Sequence, residues 1–220
     1  MSIDIAISNC TFKIYKDSNM NGRLDEDDEY VDNLEETEKG IYKKQNLEYG
    51  KYFISETKAE DGYVISKETE FDIVEDGITI NIELIDKIVD MLKVNIGGEE
   101  IEGATIQVLD KNNKVIDEWI SEKEPHKIKN LVEGEKYTLH EEVAVDGYVK
   151  STDIEFEVSY EKENQHLELI DKVVEIVKTD LVTGDEIEGA ELQVIDEDGN
   201  IIDEWISSKE NHKIIRLDNF

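Results

Sequence analysis

Residues 98–131 read GEEIEGATIQVLDKNNKVIDEWISEKEPHKIKNL, and residues 184–217 read GDEIEGAELQVIDEDGNIIDEWISSKENHKIIRL. The shared pieces EIEGA, DEWIS and HKI lie 86 residues apart. A second match runs from the start of the chain to its middle. Residues 52–56 (YFISE) and 61–64 (DGYV) return as 137–141 (YTLHE) and 146–149 (DGYV), at an offset of 85. The endings match as well, IELIDK at 82–87 and LELIDK at 167–172. A period near 85 is longer than that of the common solenoid repeats, and each copy is long enough to be a small domain. The chain therefore divides into repeats 1–87, 88–172 and 173–220, the third stopping about halfway. The links are a residue or two with no Gly/Ser or Pro spacer, which predicts a stiff string of beads.

Within each repeat the hydrophobic period is two. Ile78, Ile80, Ile82 and Leu84 alternate with polar residues, as do Ile154, Phe156 and Val158. Asp-Gly and Gly-Gly pairs punctuate the runs, and no stretch sustains a 3.6-residue period. The expected fold is all-β: tandem small β-sandwiches, the last one incomplete.

Composition narrows the function. The 220 residues carry a net charge of −32, with 38% hydrophobic and 36% charged residues, so the cores are thin. The acidic excess excludes nucleic acids and anionic membrane surfaces as partners. A single cysteine excludes an internal disulfide framework. No run is long enough for membrane insertion, and the first residues do not read as a signal peptide.

Strand parity singles out three polar residues. In Tyr137, Leu139, Glu141 and Val143 the glutamate shares the apolar face. Asp171 continues the row of Leu167 and Leu169. Lys93 continues the row of Val89 and Met91, with Asp90 facing out. The second repeat thus points Lys93, Glu141 and Asp171 inward from its first, middle and last strands. Buried charges are costly unless they pair or neutralise. Two readings follow. One is a buried salt-bridge triad. The other is covalent: burial favours a neutral amine and a protonated carboxyl, a nucleophile facing an electrophile, with a glutamate to move the proton.

These residues resemble the SpaA/Cna B-type (prealbumin-like) repeat domains of Gram-positive surface adhesins and pilins. The pattern opens with a lysine-bearing strand and a Gly-Ala strand, here Lys93 with Gly103-Ala104 and Lys178 with Gly189-Ala190. It continues with YxLxE and an acidic-Gly-Tyr turn, here residues 137–141 and 146–148, and 52–56 and 61–63. It closes on a strand carrying Asn or Asp, here Asp86 and Asp171. The proline usual before the acidic-Gly-Tyr turn is replaced by Glu60 and Val145. The resemblance implies a spontaneous Lys93–Asp171 isopeptide bond promoted by Glu141, and with it the covalent reading is favoured in the second repeat. It also implies a location at the cell surface or cell wall.

The other repeats depart from the pattern. In the first, Asn9-Cys10 stands in the place of Gly103-Ala104, and the Ile3, Ile5, Ile7 row holds no lysine. Lys13 faces away from the Phe12/Ile14 row. Glu56 and Asp86 are thus expected to lack their nucleophile. The third repeat has Lys178 but no glutamate or aspartate counterpart. Its exposed strand edges are expected to fray or to pair with another chain, and the simplest account is a fragment of a longer protein.

Residues 17–28 read D-x-N-x-N-G-x-x-D-x-x-D. Asp17, Asn19, Asn21, the Arg23 carbonyl, Asp25 and Asp28 supply oxygens at the spacing of a calcium loop, with glycine sixth. Calcium is the expected ion. A solvated acidic loop is the alternative. Cys10 reads as a small packed residue, His126 and His212 as surface or turn residues, and Trp119 and Trp205 as sheet packing.

Together these features predict a non-enzymatic stalk segment of a surface adhesin or pilin-like protein, whose only chemistry is its own cross-linking. Its partners are neighbouring repeat domains. The rival is a module that binds a host or matrix protein itself, with a calcium-stabilised loop.

Overall fold

A run of alternating apolar residues can bury one face, but its backbone also needs neighbours to complete a hydrogen-bond ladder. The computed structural model describes residues 7–161 and 163–214. Ile3, Ile5 and the third repeat past Ile214 lie outside the described residues. Within them the chain forms eighteen strands and no helix, as the period-two pattern predicts.

In the first repeat, β1 (Thr11–Lys16), β2 (Glu29–Asn33), β5 (Gly50–Lys58) and β6 (Thr69–Ile73) form a sheet in the order β2-β1-β5-β6. A side hairpin joins β3 (Glu35–Glu38) and β4 (Ile41–Lys43). Phe12 and Ile14 of β1 and Tyr52 and Ile54 of β5 point into one core with Cys10, and Phe71 packs against it. Asn9 adopts a left-handed backbone (φ 63°) where Gly103 and Gly189 do the same (φ 97° and 82°). Asparagine is one of the few side chains that tolerates this conformation.

The Ile78–Leu84 alternation is not a strand. Residues 74–88 form no regular element, and Ile78 and Ile80 are exposed, while Ile82 and Leu84 pack on the core. Alternation marks a buried face but supplies no ladder partner. Among the described residues, none pairs with this segment as a strand.

In the second repeat the partner is present. β7 (Val89–Asn95), β10 (His126–Lys127), β12 (Tyr148–Val149) and β14 (Gln165–Val173) order as β10-β7-β14-β12. β8 (Thr105–Leu109), β9 (Val115–Ile120), β11 (Lys136–Val143) and β13 (Ile154–Glu157) order as β13-β11-β8-β9. Met91, Ala104, Ile106, Val108, Leu139 and Leu169 are buried among these two sheets. Two parity expectations fail here. Val143 is exposed, because the register between β11 and β8 shifts after Glu141 and turns the strand over. Asp90 does face the other way from Lys93, yet it is buried, capped by the His166 ring at 2.5 Å.

The third repeat gives two small pairs: β15 (Glu175–Ile176) with β18 (His212–Lys213), and β16 (Glu191–Ile195) with β17 (Ile201–Ile206). Leu192 and Val194 stay half-buried where their counterparts Ile106 and Val108 are fully buried.

By packing, the chain divides into two compact units. One takes in the described residues up to Val89 with Lys127–Lys136 and Glu157–Gln165; the other takes in the rest. A common contact recurs in both. In the first, Lys127 lies over the Tyr63 ring, 5.7 Å from its centre; in the second, Lys213 lies over Tyr148 at 5.9 Å. The adjoining Gly62 and Gly147 have φ of 85° and 90°, and a Cβ on Gly62 would sit 3.1 Å from Lys127 Cβ. The HK and DGY motifs are therefore one contact written in two places.

Leu139 is fully buried and Ile120 is 63% exposed. Leu139→Ala should destabilise the chain by about 2–5 kcal/mol. Ile120→Ala should change it by less than about 0.5 kcal/mol. Urea denaturation of the two variants checks the assignment of the core.

Candidate functional site

The strand faces bring Lys93, Glu141 and Asp171 to one point in the second compact unit. Lys93 and Asp171 come from β7 and β14, hydrogen-bonded neighbours in one sheet, and Glu141 comes from β11 in the other. All three side chains are closed to water. Lys93 Nζ donates to Asp171 Oδ1 in a short direct contact. It also lies 3.3 Å from Glu141 Oε1.

Glu141 is held from its far side. Its Oε2 accepts the Ser151 backbone N–H at 2.7 Å and the Ser151 hydroxyl at 3.0 Å. Among the described residues, its Oε1 and Asp171 Oδ2 accept no hydrogen bond. For Oε1 this sits beside the 3.3 Å approach of Nζ: the two are within ion-pair range, but the contact lacks hydrogen-bond geometry. Two unfilled acceptors on buried carboxyls are costly, on the order of 1–3 kcal/mol each. Burial pushes the Asp171 carboxyl up to about 7, against the opposing pull of Lys93. The site thus holds an amine, a carboxyl inclined to keep its proton, and a second carboxyl fixed beside both.

Ser151 escapes the parity argument because it lies outside the strands. The repeat does betray it: GYVxS occurs at residues 62–66 and 147–151. Ser66 serves Glu56 in the same way, with its N–H and hydroxyl at 2.7 and 2.8 Å from Oε2.

In the first compact unit, Glu56 lies with Asp86 and the Cys10 thiol rather than with a lysine. Burial raises the Glu56 and Asp86 carboxyls, and it pushes the Cys10 thiol up to about 11. In the third repeat Lys178 is half-buried. Its carbonyl accepts the Ile187 N–H at 2.8 Å, as the Lys93 carbonyl accepts that of Ile101 at 2.9 Å.

The acidic segment 17–28 links β1 to β2, a loop between strands. Asp17 is buried and accepts the N–H groups of Asn21 and Gly22, each at 3.1 Å. Asp25 accepts the side-chain amides of Asn19 and Asn21. The Asn21 amide is foremost in holding the Asp25 carboxyl below its usual range. Asp28 accepts the N–H groups of Ser18 and Asp25. The oxygen-bearing side chains at positions 1, 3, 5, 9 and 12 are thus hydrogen-bonded to one another or to the loop backbone, and they are of the donor type that an oxygen-liganded cation takes.

The two tryptophan–histidine pairs are also built alike. Trp119 stacks on His126 and Trp205 on His212, both at 4.0 Å between ring centres. His126 meets Asp117 at 2.9 Å and His212 meets Asp203 at 2.7 Å. These histidines are tied to the sheet rather than free at the surface.

A family model, the SpaA prealbumin-like fold domain, matches residues 4–88 and again 87–173. Among solved structures, the Bacillus anthracis TIE protein is 24% identical with a TM-score of 0.34, over 94% of this chain and 40% of that one. The shaft pilin SpaA from Lactobacillus rhamnosus GG is 14% identical with a TM-score of 0.37, over 77% and 89%. The C-terminal fragment of the pilus adhesin SpaC from the same organism is 14% identical with a TM-score of 0.35, over 77% and 90%. The chain spans about two fifths of the length of the first of these. A search of curated proteins gives no match.

The raised Asp171 carboxyl has a signed consequence. A group that holds its proton more tightly when folded loses stability as pH climbs from its unfolded value toward its folded one. Lys93→Met removes the lowering influence on Asp171. That variant should lose stability between about pH 4 and 7 more steeply than Lys93→Met/Asp171→Asn, by at most about 1.4 kcal/mol per pH unit. Parallel urea melts across that range would show equal slopes if Asp171 titrates normally.

Proposed function

Because the chain belongs to the SpaA prealbumin-like fold domain family, we propose that it is a structural segment of a bacterial surface stalk, part of an adhesin or pilin-like protein. On this reading an isopeptide bond between Lys93 and Asp171 locks its second repeat. The observation that carries the proposal is the direct contact of Lys93 Nζ with Asp171 at complete burial, with Glu141 beside both.

The chemistry balances within the cluster. An ammonium and a carboxylate first exchange one proton, leaving an amine and a carboxylic acid. The Lys93 nitrogen attacks the Asp171 carboxyl carbon, and an N–C bond forms. Glu141 takes a proton from the nitrogen and returns it to the departing hydroxyl, which leaves as water. The dry surroundings favour the neutral amide over two buried charges. Asp171 is consumed, so the reaction happens once, with no external substrate. Such self-directed chemistry suits a structural protein rather than an enzyme.

The same reading gives the remaining parts their roles. Repeats 1–87, 88–172 and 173–220 act as consecutive stalk modules whose immediate partners are neighbouring repeats, outside the cell or on its surface. Lys178 is the nucleophile of the third repeat, and Glu56 and Asp86 are the remnant of a site in the first. Residues 17–28 bind calcium through Asp17, Asn19, Asn21, the Arg23 carbonyl, Asp25 and Asp28, tying the long β1–β2 loop to its own strands.

Two measurements test this. The intact mass should fall short of the sequence mass by one water, roughly 18 Da, with the loss mapped to a Lys93–Asp171 peptide. Glu141→Ala should fold, by circular dichroism, yet keep the full mass. An unchanged wild-type mass would return the three residues to a buried ion network and favour the ligand-binding role. For the loop, calcium should raise the melting temperature of the wild type and leave Asp17→Ala/Asp25→Ala unaffected. The absence of any heat on calcium titration would remove the site.

A further inference from the structure

Glu56 and Asp86 stand 85 residues before Glu141 and Asp171. Glu56 is anchored by Ser66 just as Glu141 is by Ser151. What lies beside the first pair is a thiol: Cys10 Sγ and one oxygen from each carboxylate lie within 4.8 Å of one another. Glu56 is only 5% exposed, and its Oε1 has no hydrogen-bond partner among the described residues. A sulfur and two carboxyls thus meet where an unfilled buried oxygen calls for a positive charge.

We propose that Cys10, Glu56 and Asp86 bind a zinc-class divalent cation. The sulfur decides the class. Calcium and magnesium take oxygen ligands, whereas zinc accepts thiolate and carboxylate together. Three protein ligands and a fourth open position form a common zinc arrangement. Bond lengths of about 2.3 Å to sulfur and 2.1 Å to oxygen put tetrahedral ligands about 3.6 Å apart. The three side chains need close by no more than about 1.2 Å to reach that spacing. Binding takes the thiol proton, which passes to water. Burial disfavours charge on all three groups, and a dication offsets that penalty. The site would join β1's entry, β5 and the segment before β7: Glu56 and Asp86 match Glu141 and Asp171 of the next repeat, while Cys10 matches Ala104, beside the place that Lys93 fills there. It stands apart from the calcium loop, whose ligands are all oxygens, and it does not depend on the isopeptide reading.

The chain's single cysteine makes the test specific. Full-length reduced protein is titrated with Co2+ and then with Zn2+. A thiolate-to-cobalt charge-transfer band in the near ultraviolet can arise only from Cys10. The expected result is a band that saturates at one cobalt per chain and disappears on adding zinc. It should be absent from Cys10→Ala, which should fold because alanine stands at the matching Ala104 and Ala190. Glu56→Gln and Asp86→Asn should weaken binding about tenfold or more, and Asp25→Asn in the acidic loop should leave the band unchanged. If Glu56→Gln does not fold, the half-buried Asp86 carries the comparison alone. No band at saturating cobalt overturns the proposal. So does a band whose affinity is the same in the carboxyl variants, since the thiol would then be acting alone.

Discussion

An amine and two carboxyls shut off from water must satisfy one another, and that requirement fixes the second repeat. Lys93 and Asp171 hold β7 against β14, and Glu141 ties β11 in the facing sheet to both. Three charged groups in a core this small would be a defect if any one were misplaced, because an uncompensated buried charge costs several kcal/mol. The apolar residues around them, Met91, Ile106, Leu139 and Leu169, make the pocket dry. Dryness makes the pairing obligatory and raises the Asp171 carboxyl.

The first repeat is a natural variation on that arrangement. It keeps the glutamate, its serine clamp and the aspartate, and it sets a thiol beside them. Asn9 reproduces the backbone of Gly103, so the neighbouring Cys10 arrives where Ala104 would. Two differences separate the clusters: the first repeat lacks the lysine counterpart, and a cysteine stands where the second repeat has Ala104. The scaffold sets the positions, and the side chains set the chemistry, the usual division between fold and site.

Much of this was legible in the residues. Parity along two-residue alternation identified Lys93, Glu141 and Asp171, because each sits mid-strand among apolar neighbours whose faces are unambiguous. The same rule failed at Val143, where a register shift reverses the face, and at Asp90, where His166 arrives from another strand to cover it. It also failed along Ile78–Leu84, since alternation says nothing about whether a neighbouring strand is there to receive hydrogen bonds. Ser151 was hidden for a different reason: its role comes from where a turn returns the chain, and only the recurrence of GYVxS reveals it. The meeting of the HK lysine with the tyrosine turn is likewise tertiary, visible as two motifs and not as one contact.

The contact between Lys93 and Asp171 spans 78 positions of sequence. Drawn out fully, that stretch would measure about 260 Å. In a rod pulled at both ends, a non-covalent sandwich can release that length when it gives way, slackening everything downstream. If the proposed bond joins β7 and β14, tension passes from one strand to the next, and the stretch between Lys93 and Asp171 lies outside the load path. The repeat then behaves as a link of constant length, and a chain of such links transmits a tug without delay or loss of reach.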